Sequence, residues 1–124
     1  MEATEMTRIQ KVLQETPAVI ARLGSEAEES RFIWQAAKIR LKQEEAKLHL
    51  KTKAEKSEAG LTAGDLKAHV DADEKIYQQR LDVITFESTY RKLEKEIEAR
   101  TESLNSAKIL AKMEMNEKIT GLGG

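Results

Sequence analysis

The side chains in this sequence best spaced to do chemistry are cations. Lys38, Arg40, Lys42, Lys47, Lys51, Lys53 and Lys56 fall within the stretch Ala37 to Lys56, against only Glu44, Glu45 and Glu55. Lysine and arginine repeated along one helix neutralise phosphates and release counterions, which gives salt-sensitive binding without readout of bases. At 3.6 residues per turn this stretch shows two apolar edges. Trp34, Ala37, Leu41 and Leu48 share one edge; Phe32, Ala36, Ile39, Ala46 and Leu50 lie nearly opposite. The cations fall between them, with Lys38, Lys42, Lys53 and Lys56 on one flank and Arg40, Lys47 and Lys51 on the other. Arg40, Lys42, Lys47, Lys51, Lys53 and Lys56 are the candidate phosphate contacts. The competing reading is a solvated face, because the C-terminal end of a helix favours cations in any case.

Other chemistries find little support. His49 and His69 flank a predicted loop, but neither belongs to an HExxH, DxDxDG or comparable spacing. The glycines between Gly60 and Gly64 lack the Lys-Ser/Thr of a phosphate loop. No catalytic residue, metal ligand or cofactor is expected, and no enzyme. Trp34, the single tryptophan, reads as an interface anchor or, alternatively, a platform for stacking bases. Arg100 interrupts an apolar seam, where a polar residue commonly fixes register.

The composition agrees with helices that bury narrow seams. Of 124 residues, 35% are charged and 4% aromatic, with six glycines and one proline. The net charge of −1 gives the whole chain no pull toward polyanions, so anion binding must come from local segregation of charge. The absence of cysteine excludes disulfides, thiol catalysis and thiolate metal sites. The first residues, MEATEMTRIQK, contain no apolar signal-peptide core, and no run approaches a membrane span. A cytoplasmic protein without a membrane partner is the expectation.

The elements that must position the cations are helices. Met6, Ile9, Val12 and Leu13 predict a short amphipathic piece, Thr16-Pro17 reads as a cap and first helical residue, and Gly24 as a stop after Ala18 to Leu23. Residues 1–24 are thus expected to form an N-terminal arm. Ser25 to Glu28 fits a capping box that opens a first long helix from about residue 26 to about 58. Ala59 to Gly64 reads as the main loop, and Thr62 with Asp65 as a second cap, leading into a helical turn with Leu66, Ala68 and Val70. A bend is expected at 71–73. Val83, Phe86, Tyr90, Leu93, Ile97, Arg100, Leu104, Ala107 and Ala111 then alternate three and four apart, a heptad seam predicting a helix from about 74 to about 117. Residues 119–124 are expected to be a disordered tail.

Two long helices around a short loop predict an all-α, elongated antiparallel hairpin over residues 25–118. The second apolar edges would remain exposed on a lone hairpin, so a homo-oligomer is expected. Its interface residues are drawn from Phe32, Trp34, Ile39, Leu41, Leu48, Leu50, Ile109 and Met113. Which edge is internal to the chain stays open.

The order of elements resembles the UvsY-type phage recombination mediators: small helical proteins with an N-terminal arm, a long helix ending in a basic motif, a loop and a further long helix. The likeness extends from about Ile9 to Met113. Leu50-Lys51-Thr52-Lys53 resembles the family's Leu-Lys-x-Arg/Lys motif, and Asp65-Leu66-Lys67-Ala68-His69-Val70-Asp71-Ala72-Asp73 is similar to the segment that opens the later helices. Ala54-Glu55-Lys56 follows the basic motif, without the paired aromatics of the family pattern. The resemblance implies a ring-like homo-oligomer that binds single-stranded DNA through Lys51 and Lys53. It also implies partners: a RecA-like recombinase, loaded onto strands covered by single-strand-binding protein in the cytoplasm of a phage's host. A coiled-coil scaffold or chaperone, or a small inhibitor of a host protein, are the alternatives that the charge pattern leaves open.

Overall fold

The computed structural model describes residues 4–56, 60 and 62–117 in full, and residues 3 and 118–123 by their backbone. It is all-α. Helix α1 runs Ala3–Glu55, α2 Ala63–Ala72 and α3 Glu74–Gly123. No strand occurs among the described residues.

Helix α1 corrects the expectation of a separate arm. The chain does not break at Thr16-Pro17, stop at Gly24 or restart at Ser25; one helix passes through all of them. Pro17 removes one backbone hydrogen bond, a cost of about 3 kcal/mol in a helix interior. The offset comes from burial that keeps its phase across the site. Ile9, Thr16, Leu23 and Ala27 are buried, and Leu13 and Ile20 half-buried, at spacings of three and four. A stop at Gly24 would need the left-handed backbone of a C-terminal cap. Among the described residues only Gly60 has a positive φ, of 66°. Local cap signals therefore lose to a seam that runs unbroken past both sites.

The expected tail is corrected as well. The α3 backbone remains helical to Gly123, and Gly124 lies outside the described residues. Within α3 the anticipated seam is visible as burial: Leu104 and Ala107 are buried, while Val83, Phe86, Tyr90, Leu93, Ile97 and Ala111 are half-buried. Arg100 departs from it. Its side chain is exposed and reaches Glu96, one turn back, at 3.8 Å.

Two compact units divide the chain. The first joins residues 1–28 to 91–124, and its buried residues include Ile9, Leu23, Ala27, Leu104 and Ala107. The second comprises Glu29–Tyr90 and holds the basic stretch. Its buried residues include Trp34, Thr52, Leu66, Val70 and Ile76.

The connections in the second unit follow the expected chemistry. Residues 57 and 58, at the predicted end of the first long helix, and 59 and 61, part of the predicted loop, lie outside the described residues. Thr62 caps α2 with a complete capping box: its Oγ1 accepts from the Asp65 N–H at 3.1 Å, and its own N–H donates to Asp65 Oδ2 at 3.1 Å. Asp73 makes the bend between α2 and α3. It is extended, donates its N–H to the Val70 carbonyl, and accepts from the Ile76 N–H through Oδ1 at 2.9 Å. It thereby ends one helix and caps the next.

Candidate nucleic-acid interface

The inner edge of the basic stretch is used inside the second unit. Trp34 is 9% exposed and stacks on Tyr90 of α3, with ring centroids 5.7 Å apart and planes at 25°. Lys38 Nζ lies 4.9 Å from the Trp34 ring centroid, a cation–π contact. Leu41 and Leu48 are half-buried along the same edge. The opposite edge is open: Phe32 is 74% exposed, and Ile39 and Leu50 are exposed too. Of the residues expected at an oligomer interface, Trp34, Leu41 and Leu48 therefore contribute to packing within the chain. Phe32, Ile39 and Leu50 remain on the surface, as do Ile109 and Met113 in the first unit.

All six candidate phosphate contacts, Arg40, Lys42, Lys47, Lys51, Lys53 and Lys56, are exposed. Their spacing separates them into two flanks of α1, and each flank meets cations from another element. On one, Lys42, Ala46 and His49 line a recess with Lys67 and Val70 of α2 and Arg80 of α3. On the other, Lys47, Leu48 and Lys51 line a recess with Lys75 and Ile76 of α3.

The carboxylates are distributed differently in the two places. In the first recess Glu45 and Asp71 are both taken by Arg80, whose Nε donates to Glu45 Oε1 at 3.1 Å and whose Nη2 meets Asp71 Oδ1 at 2.9 Å. These partners, Asp71 foremost and then Glu45, push the Arg80 guanidinium further up from its already high pKa. In the second recess Glu44 divides its oxygens between Lys47, at 4.0 Å, and Lys75, at 3.7 Å. There one carboxylate is shared by two of the three lysines.

Helix α2 is tied to the first flank at two places. Lys56 Nζ lies 2.9 Å from His69 Nε2, so the ammonium donates to a ring nitrogen that carries no proton. Arg80 holds Asp71, two residues further along the chain. Lys67, Lys75 and Arg80 are functional candidates that the sequence reading missed. They stand outside the basic run, and only the return of α2 and α3 onto α1 brings them to it. Among the described residues no three His, Asp or Glu side chains gather as a metal site would require. No described helix is long and apolar enough to cross a membrane.

Comparison with known proteins gives no family model, curated protein or solved structure that matches this chain.

Proposed function

We propose that this chain is a non-enzymatic recombination mediator that binds single-stranded DNA as a homo-oligomer. In this reading α1 and α3 form an antiparallel hairpin. The assembly helps load a RecA-like recombinase onto strands covered by single-strand-binding protein, in the cytoplasm of the host if the chain is phage-encoded. One observation carries the proposal: α1 presents an exposed apolar edge, Phe32, Ile39 and Leu50, flanked on both sides by exposed cations. Apolar surface of that kind is usually covered by a partner, and a second copy that covers it repeats the basic flanks along the assembly. Weak phosphate contacts then act together on one strand. In the second unit, the pairings Trp34 with Tyr90 and Glu45 with Arg80 run in opposite senses along the two helices, which supports the hairpin.

The test is fluorescence-anisotropy binding to an unstructured oligonucleotide over a salt series, with solution mass measured in parallel, for wild type and Lys51→Ala/Lys53→Ala. A multimer whose binding falls with salt, and a shallower salt slope in the variant without loss of assembly, are expected. A correctly assembled wild type that ignores the oligonucleotide at low salt refutes the reading. The second reading is a coiled-coil scaffold or chaperone without nucleic-acid binding, favoured by the pairing of Lys47 and Lys75 with Glu44. It predicts indifference to DNA.

A further inference from the structure

The two recesses beside α1 carry similar sets of charges but differ in what is left over. Each is lined by three Lys or Arg side chains and two carboxylates. In the recess with Lys47, Lys51 and Lys75, Glu44 engages two of the three lysines. An incoming anion there must compete with a carboxylate already in place. In the other, both carboxylates are engaged by Arg80. Lys42 and Lys67 form no ion pair among the described residues and line a recess whose two carboxylates both have Arg80 as a hydrogen-bonding partner.

We infer that Lys67 of α2 completes a phosphodiester-binding site with Lys42 of α1, with Arg80 serving as the positioning residue that withdraws Glu45 and Asp71 from competition. This rests on the nucleic-acid reading above and narrows it to one flank of α1. The geometry supplies a reason for α2 to be pinned where it is. The contacts of His69 with Lys56 and of Asp71 with Arg80 tie α2 to α1 and α3 just C-terminal to Lys67, while the Thr62–Asp65 capping box sets where the helix begins. The Lys67 backbone is thus held by those two contacts and by the burial of Leu66 and Val70 on either side of it. A lysine on a fixed helix beside a second unpaired lysine is a two-point cradle for a flexible chain of phosphates. Exposed lysines bind phosphate as mobile point charges, so the site is not selective for base.

The experiment compares oligothymidylate binding by wild type, Lys42→Ala/Lys67→Ala and Lys47→Ala/Lys75→Ala over a salt series, with circular dichroism and solution mass as checks on fold and assembly. Loss of two single-strand phosphate contacts should lower the slope of log K against log salt by about 1.4, about 0.7 per contact. Replacing Lys47 and Lys75, which already share Glu44, should lower it by less than half of that. A Lys42→Ala/Lys67→Ala protein that is folded, assembled and binds with the wild-type slope overturns the inference while leaving the DNA-binding reading intact. A wild type without salt-dependent binding overturns both. Displacement of the oligonucleotide by polyglutamate at equal charge concentration would assign the recess to an acidic protein surface, and also overturns it.

Discussion

Trp34 of α1 stacks on Tyr90 of α3, with Lys38 close to the same indole ring. The indole is therefore committed to packing within the second unit instead of being held out for a base. Truncating a large buried aromatic to alanine costs about 3–5 kcal/mol in a packed core. Trp34→Ala should lose stability toward the lower end of that range, because the core around it is narrow, as read by urea denaturation. Trp34 emission in the wild type should also remain unquenched when an oligonucleotide binds. Strong quenching without a change in fold would return Trp34 to the role of stacking platform.

Gly24 and Gly60 should respond in opposite directions to the same substitution. A Cβ on Gly24 meets nothing within 4 Å, and its backbone is helical. Gly24→Ala should stabilise the protein by about 0.5–1 kcal/mol. Gly60 has φ +66°, where a side chain costs about 1–2 kcal/mol. Thermal melts of the two variants decide it: a destabilised Gly24→Ala would mean that α1 is interrupted at this position in solution.

These positions also show what was legible in the sequence. The seam from Val83 to Ala111 is rich in large apolar residues, and except at Arg100 its burial is what the spacing predicts; so is the Thr62–Asp65 cap, whose chemistry is local. The seam of α1 was harder to see because several members are small or polar, such as Thr16, Ala27 and Ser30, while Pro17 and Gly24 carry strong local signals of a break. Continuous burial along the helix outweighs those signals, and no local window contains it. Lys67 and Arg80 were missed for a different reason. Their importance comes from the elements beside them, Lys42 and Glu45, which lie 25 or more residues away in sequence.

Glu44 sets how many lysines the second recess can offer. Its carboxylate lies near Lys47 and Lys75, so Glu44→Gln should release both. Binding to oligothymidylate should tighten, with the salt slope steeper by up to about 1.4 if each released lysine gains a phosphate. An unchanged slope in anisotropy titrations would show that these two lysines cannot reach the strand.

Hydrogen bonds from the backbone and then the side chain of Thr62 hold the Asp65 carboxyl below its usual pKa. A depressed folded-state pKa means that the unfolded chain takes up the proton first as pH falls. The contribution of this cap is therefore complete above the ordinary aspartate range and is lost as pH drops through Asp65's own, lower value. The amide resonances of Thr62 and Asp65 should move together over that acidic window, and Asp65→Asn should abolish the joint transition. Titration of Asp65 at or above the ordinary value would contradict the cap.

Sedimentation of wild-type protein with labelled oligothymidylate, at low and then raised salt, tests the central claim most directly. The account predicts a multimer that carries the oligonucleotide at low salt and releases it as salt rises while staying assembled. A monomer, or a multimer sedimenting free of oligonucleotide at low salt, would contradict it.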